Sequence, residues 1–487
     1  MNAFPETIPA LLAWRAAAAG SRPWLFYESD SWTLADVAAL VDRYATGLAD
    51  RGVGPGDRVA MILGNHPDTI FTWLATSQLG AIAAPLNPAF KAPEIAALRE
   101  LVGPRVVVAE PSFAIEGAIA PADLAAAGSG APRARVSPDD VAVLLATSGT
   151  TGAPKAVAQT HRTYALTAEA FPAWLGLDER DRLLAALPLF HVNAQAYATM
   201  GALGAGASLA LLAKFSASRF WEDAKRLGAT QFNAVGAIVK ILLAAPARDA
   251  DRDHAIRKCY AALALPEAEH RAFEERFGLS MIVGYGMSET TFGTIWPRDR
   301  PARYGTMGVL RQHPRLGEIN RARVVRDDGS DASDDETGEL WLANPATMRG
   351  YWNAPAETAA VREGAWLKTG DLVRRDRDGH FTFVARKKEV IRRRGENVAA
   401  AEIEVVLASH PSVREAAALG VPSSLGEEEI VAFVSPRPGA TIDVEALRAW
   451  TRERLADFKV PSVIHVRAEL PRTATERIAK HLLRKEL

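Results

Sequence analysis

The nine residues Thr147-Ser148-Gly149-Thr150-Thr151-Gly152-Ala153-Pro154-Lys155 constrain the fold more than any other stretch of this chain. Val141–Ala146 before them and Ala156–Gln159 after them have β-type sequence, so the segment reads as a loop joining two strands. Its glycines let the backbone turn so that N–H groups and four hydroxyls face one concavity, to which Lys155 adds a positive charge. Such a loop suits a polyphosphate. The Gly-Lys-Ser/Thr ending and the following helix of the ordinary nucleotide P-loop are missing, which argues against that class.

Around this loop, helical patterns alternate with short β-rich runs, as in Arg58–Leu63, the helical stretch Pro67–Leu79 and then Ile82–Pro85. That is α/β wiring. Ile8–Ala19 reads as an amphipathic helix, and the Ala-, Pro- and Gly-rich segment 110–140 as a surface excursion. The longest apolar stretch, Tyr197–Ala213, is too short and too rich in glycine for a membrane span; it reads as a buried helix, a glycine turn and a core strand. After about Arg386 the pattern shortens to a basic run, a helix over Ala400–Ala408, the strand-like VREAAALGV and IVAFVSP, and a helix over Val444–Leu455. For 487 residues the expectation is a large N-terminal domain, 1–385, of mixed sheets flanked by helices, and a small α+β domain, 386–487.

A net charge of −1 removes the global electrostatic argument for a nucleic-acid or membrane partner. The single cysteine, Cys259, and ten scattered histidines offer no zinc cluster, and a reducing, cytoplasmic compartment fits. The N-terminus does not read as a signal peptide.

Further along stand Tyr285-Gly286-Met287-Ser288-Glu289-Thr290, Gly338-Glu339-Leu340, Thr369-Gly370-Asp371 and Arg386-Lys387-Lys388-Glu389 leading into Gly395-Glu396-Asn397. With the Thr147–Lys155 loop, these motifs in this order resemble the adenylate-forming superfamily of acyl-CoA synthetases, aryl-CoA ligases, luciferases and amino-acid adenylation domains, above all the AMP-forming acyl-CoA synthetases. The resemblance runs nearly end to end and implies ATP or AMP, Mg²⁺ and coenzyme A. It implies a carboxylate that attacks the α-phosphate of ATP, then a thiol that attacks the acyl-AMP, with the small domain swinging about a hinge at Lys388 between the steps.

Site residues follow from the same resemblance. Thr147, Ser148, Gly149, Thr150, Thr151, Gly152 and Lys155 would cradle phosphates. Tyr285, flanked by Gly286 and Met287, would stack on adenine, with Ala262 on the turn beneath it. Asp371 would accept both ribose hydroxyls, and Arg386 would contact ribose or phosphate. Glu289 would bind Mg²⁺ and Thr290 would donate to the α-phosphate. Gly395 would lie near the thiol step. His191, Asn193, Val235, Gly236, Ala237 and Gly284 would line the acyl pocket, and the local pattern lacks the aspartate that binds an α-ammonium, so a non-amino organic acid is expected. Lys387, Arg392 and Arg393 read as a solvated charge run.

Three positions depart from the family pattern. Glu476-Arg477 stands where the family has Gly-Lys, and Arg477 replaces a compact ammonium with a planar fork. Tyr260–Pro266 replaces a Gly-rich turn, and Ala156 replaces a glycine after the cradle lysine. Besides the complete ligase, three readings therefore stay open: an enzyme impaired in adenylation that makes thioester from preformed acyl-AMP, one loading a carrier protein, and a non-catalytic binding relative. A homodimer and a companion adenylating enzyme stay open as partners.

Overall fold

The computed structural model describes residues 3–90, 92–148, 154–262, 264–393, 396–422, 428–455, 457–473 and 477–487, without the side chains of Pro93, Ser148, Pro154, Lys388, Arg392, Glu396 and Asn397. Gly149, Thr150, Thr151, Gly152, Gly395 and Glu476 of the expected site thus lie outside the described residues. The chain forms two compact units. The larger comprises 1–322, 342–367 and 378–381; the smaller comprises 323–341, 368–377 and 382–487.

The larger unit is mixed α/β and holds two sheets. One runs Gly350–Tyr351, Pro154–Thr160, Val141–Ser148, Ile82–Pro85, Arg58–Ile62, Val106–Ala109 in spatial order. Its last four strands are parallel, while Pro154–Thr160 pairs antiparallel with Val141–Ser148 and with Gly350–Tyr351. The nine-stranded second sheet has a parallel centre in which Ser280–Met287, Lys258–Ala262, Gln231–Val235, Arg182–Ala185 and Ser208–Leu211 are successive neighbours.

Local chemistry explains the elements. The helix Ile8–Ala19 begins at Thr7, whose hydroxyl accepts the Ala10 N–H, and it buries Ile8, Leu11 and Leu12. Such a cap contributes about 1 kcal/mol. His161 Nδ1 accepts the Ile8 N–H at 3.4 Å; burial lowers its pKa to about 4, so the ring is neutral and has a lone pair to offer. The 197–213 stretch is a helix ending at Gly206, with φ +68°, and then the strand Ser208–Leu211. Cys259 is fully buried on the strand Lys258–Ala262, and burial pushes its thiol well up. The excursion at 110–140 is less superficial than its composition suggests: its short helix Pro121–Ala125 buries Leu124 completely, against Gly47.

The smaller unit packs the three-stranded sheet Val413–Pro422, Glu428–Pro436, Val463–Val466 against the helices Ala400–Ala408 and Val444–Arg452. Arg393 departs from the solvated reading of the basic run, while Lys387 is exposed as expected. Arg393 is 6% exposed, pairs with Glu429 at 2.7 Å and donates to the Val460 carbonyl at 2.6 Å. Lys387 is tied to Glu339 at 3.3 Å and to Asp327 at 3.1 Å. Carboxylates distant in sequence hold them, which no local charge pattern can show. No helix among the described residues is long and apolar enough to cross a membrane.

Candidate active site

The two strands flanking the expected cradle pair antiparallel, Thr147 with Lys155 and Ser148 with Pro154, while residues 149–153 between them lie outside the described residues. Alternation along the second strand sends Ala156 inward, 1% exposed among Ile82, Ala84 and Leu144. Its methyl group therefore fills core, and the departure from glycine leaves the opposite face, with Lys155, untouched. The Lys155 ammonium sits 4.9 Å from the centroid of the Tyr351 ring and makes no ion pair among the described residues. Tyr351 reaches it because the strand Gly350–Tyr351 pairs with Val157 and Ala158. Its hydroxyl donates to Glu289 Oε1 at 2.9 Å. Burial first, and then the Glu289 charge, raise the Tyr351 pKa far above its ordinary value, so the phenol stays a donor.

Glu289 occupies a two-residue turn with Ser288 between the strands Ser280–Met287 and Thr290–Ile295. The turn is pinned by the Met348 N–H, which donates to the Glu289 carbonyl at 2.7 Å, and by Gln159 Nε2, which donates to the Ser288 carbonyl. Thr290 is fully buried, its hydroxyl 3.2 Å from Asn344 Oδ1 and accepting the Phe292 N–H at 3.3 Å. Asn344 Nδ2 lies equally near, at 3.2 Å, and where it donates to the hydroxyl the Thr290 proton is left to point elsewhere. Among the described residues no group of three or more His, Cys, Asp or Glu side chains could hold a metal. Mg²⁺ takes one or two carboxylates and completes its shell with phosphate oxygens and water, so Glu289 fits it.

Val235, Gly236, Ala237, Ala262, Gly284 and Tyr285 gather at the carboxyl ends of three adjacent parallel strands, with Val235 in register with Ala262 and Ala261 with Val283. In open α/β sheets that edge is where ligands bind. Tyr285 is half-buried, its hydroxyl 3.8 Å from Met287 Sδ. A Cβ at Gly293 would lie 2.8 Å from Tyr285 Cδ1, so only glycine lets the strand pass under the ring. Behind the hairpin, Arg311 is fully buried and donates at 2.8 Å to Tyr197 Oη and to the Thr291 and Thr294 carbonyls. Tyr260, in the departing Tyr260–Pro266 segment, also accepts from Arg311 and is buried; Ala262 alone of that strand is exposed. His191 precedes the π-helical turn Asn193–Thr199, its ring 4.5 Å from that of Phe190. Asn193 accepts a hydrogen bond from Asn233 at 2.8 Å.

The smaller unit holds the remaining residues. Asp371 is 1% exposed, and Arg386 Nε lies 3.0 Å from its Oδ1. Gly370, at φ +70°, turns the chain into it and donates its N–H to Glu339 Oε1 at 3.0 Å. Glu339 also binds Lys387, so the carboxylate of the Gly338-Glu339-Leu340 motif joins the Asp371 loop to the start of the basic run. The side chain of Arg477 is exposed, yet partial desolvation and the nearby Arg386 charge lower its pKa against the opposing Glu389 and Asp371. Lys480 is occupied by Glu404 at 2.7 Å and Glu389 at 3.6 Å. Sequence reasoning missed Tyr351, Asn344, Arg311 and the Glu339 clamp; of these only Glu339 lay in a motif already marked.

The fold and this donor set are those of a nucleotide-using α/β enzyme, and comparison with known proteins identifies its kind. The model of the AMP-binding enzyme family matches residues 12–352 and that of the AMP-binding enzyme C-terminal domain matches 402–477, so the chain belongs to the AMP-binding enzyme family. It is 35% identical to a sulfoacetate–CoA ligase of Cupriavidus necator, covering 98% of this chain and 97% of the relative. It is 31% identical to a crotonobetaine/carnitine–CoA ligase of Salmonella paratyphi C, over 96% of both chains. Its structure resembles the AMP complex of an O-succinylbenzoate coenzyme A synthetase from Bacillus subtilis, with TM-score 0.87, 28% identity and 97% of both chains covered. It also resembles ATP-bound MatB from Rhodopseudomonas palustris, with TM-score 0.89, 27% identity, and 99% and 98% of the chains covered.

Proposed function

We propose that this chain is an AMP-forming acyl-CoA synthetase that converts a non-amino organic acid through its acyl-adenylate to a CoA thioester. The observation that carries the reading is the Lys155–Tyr351–Glu289 array beside the strand Pro154–Thr160: a cation and a carboxylate held apart by a neutral phenol, with the two signs of charge that phosphate and Mg²⁺ call for. Bound there, the metal would neutralise phosphate charge as pyrophosphate departs. Lys155 and the hairpin backbone bind phosphate, Glu289 is held for the metal by Tyr351, Tyr285 stacks on the base, and Asp371 takes the ribose hydroxyls in place of its contact with Arg386. His191 and Asn193 border the acyl group. Residues 386–487 act as the mobile domain, with the hinge near Lys388. A cytoplasmic setting, where ATP and CoA are at hand and thiols stay reduced, fits this chemistry.

A second reading has its own support. Lys480 is committed to Glu404 and Glu389, so the cation left for the role of the family's lysine is Arg477, a planar fork in place of a compact ammonium. Losing one transition-state donor costs about 2.7–4 kcal/mol, or about a hundred- to a thousandfold in rate. The enzyme would then work mainly from preformed acyl-AMP, supplied by a companion adenylating enzyme. Two assays decide between the readings: a panel of acids with Mg-ATP and CoA, and the corresponding acyl-AMPs with CoA, each scored for thioester. A complete ligase succeeds in both; a split enzyme succeeds in the second, and Arg477→Lys raises only the first. Nucleotide binding with no thioester in either assay identifies a binding relative, and product on a carrier protein's phosphopantetheine alone moves the acceptor away from free CoA.

A further inference from the structure

We infer that the acyl pocket selects an acid carrying an oxygen acceptor on its chain, and that a relay of three amides fixes this choice. The inference rests on the function proposed above, because it takes the carboxyl ends of the parallel strands as the seat of the acyl group. Gln231, Asn233 and Val235 share one face of the strand Gln231–Val235. Gln231 and Asn233 are 0% and 2% exposed, so their amides must satisfy one another without bulk water.

The polarity of the relay is determined by the backbone. Gln231 Nε2 donates to the Phe232 carbonyl at 2.8 Å and to Asn233 Oδ1 at 2.7 Å. A backbone carbonyl only accepts, so the Gln231 atom facing it must be nitrogen. That same nitrogen meets Asn233, which must present its oxygen, and Asn233 Nδ2 then donates to Asn193 Oδ1 at 2.8 Å. Turning any one amide over sets two oxygens or two N–H groups against each other. Turning Gln231 over would aim its oxygen at the Phe232 oxygen, so the observed arrangement persists although Gln231 Oε1 is buried without a partner. Asn193 is thus left with its nitrogen as the unused end, half-buried and without a hydrogen-bond partner among the described residues.

Asn193 lies two residues after His191, against the side-chain row that ends at Val235. An N–H pair fixed there is matched by a keto, carboxylate or sulfonate oxygen on the substrate and is stranded when a plain alkyl chain displaces its water. A site built to hydrogen-bond a substrate group discriminates strongly against the analogue that lacks it. An ammonium group, a pure donor, is rejected as well.

The test compares keto acids with the parent alkanoates of equal chain length in the full-length protein. It reads thioester formation and, separately, calorimetric binding of each acid in the presence of AMP. The wild type should favour keto acids by about tenfold, with a ratio independent of pH between about 6 and 8, because amides do not titrate in that range. Asn193→Leu should erase the ratio by raising KM for the keto acid alone. Asn233→Asp removes the donor facing Asn193, so the Asn193 amide turns over; the keto preference should fall below one, and acids bearing hydroxyl or ammonium donors should gain. A merely structural role would lower all acids alike. Equal use of both classes by the wild type, or a ratio that follows a histidine titration, overturns the inference. A calorimetric preference without thioester leaves the relay standing and defeats the proposed function; neither preference nor thioester defeats both.

Discussion

At the Lys155 corner of the larger unit, cation and carboxylate do not touch: the ammonium rests on the face of Tyr351, whose hydroxyl holds Glu289. At the Asp371 corner of the smaller unit they are in direct contact, Arg386 against a carboxylate that is 1% exposed. The first arrangement holds Lys155 by a cation–π contact, which contributes only about 0.5–2 kcal/mol. The second requires the ligand to compete with a protein cation for a buried carboxylate. On the proposed function, a ribose reaching Asp371 would have to displace Arg386 from it, whereas a phosphate reaching Lys155 would displace only a ring contact.

The largest effect should appear at the paired corner. Asp371→Asn should raise the KM for ATP about a hundredfold, through the loss of two charge-assisted hydrogen bonds of about 1.5–3 kcal/mol each, partly offset by the Arg386 contact that no longer has to be surrendered. Arg386→Leu, which leaves the carboxylate without that cation, should cost about 1–3 kcal/mol in chemical denaturation. A stable Arg386→Leu protein with unchanged ATP affinity would remove the distinction between the corners. At the Lys155 corner, Tyr351→Phe keeps the ring under Lys155 and deletes the phenol; it should raise the KM for Mg-ATP about tenfold without loss of stability, while Tyr351→Leu should cost about ten- to a hundredfold.

The smallest effect concerns Lys480, which is paired with Glu404 and Glu389. Burial raises the Glu404 pKa against the opposing Lys480 charge. A carboxyl whose folded pKa is raised lends stability below its ordinary range and loses it as pH rises through the folded value. Lys480→Met should raise that value further and deepen the loss on going toward neutral pH, measured as denaturation midpoints against pH. A flat profile would show that Lys480 does not hold Glu404.

Much of this was legible in the chain. The β-rich runs at 58–63, 82–85 and 141–146 and the helical pattern at Ala400–Ala408 correspond to the strands 58–62, 82–85 and 141–148 and the helix Ala400–Ala408, because strands buried on both faces read as short apolar runs. Lys155, Glu289, Asp371 and Arg386 stood out as candidates because their motifs are short and contiguous. Tyr351 was not, since it meets Glu289 across 62 residues and its two-residue strand carries no periodicity. Arg393 was misread for a related reason: a run of cations looks solvated until Glu429 and the Val460 carbonyl are brought to it by the fold, whereas Lys387 stays exposed as expected. Ala156 marked a departure from a pattern, but its methyl group faces Ile82 and Leu144 rather than the cradle.

Cys259, the chain's one sulfhydryl, is sealed within the parallel sheet and kept protonated. An activated acyl group therefore meets no competing sulfur on the protein itself, and self-acylation of a cysteine does not drain the intermediate. The same seclusion has a practical side: a disulfide dye added to the native enzyme reports the disappearance of free CoA without a background from the polypeptide.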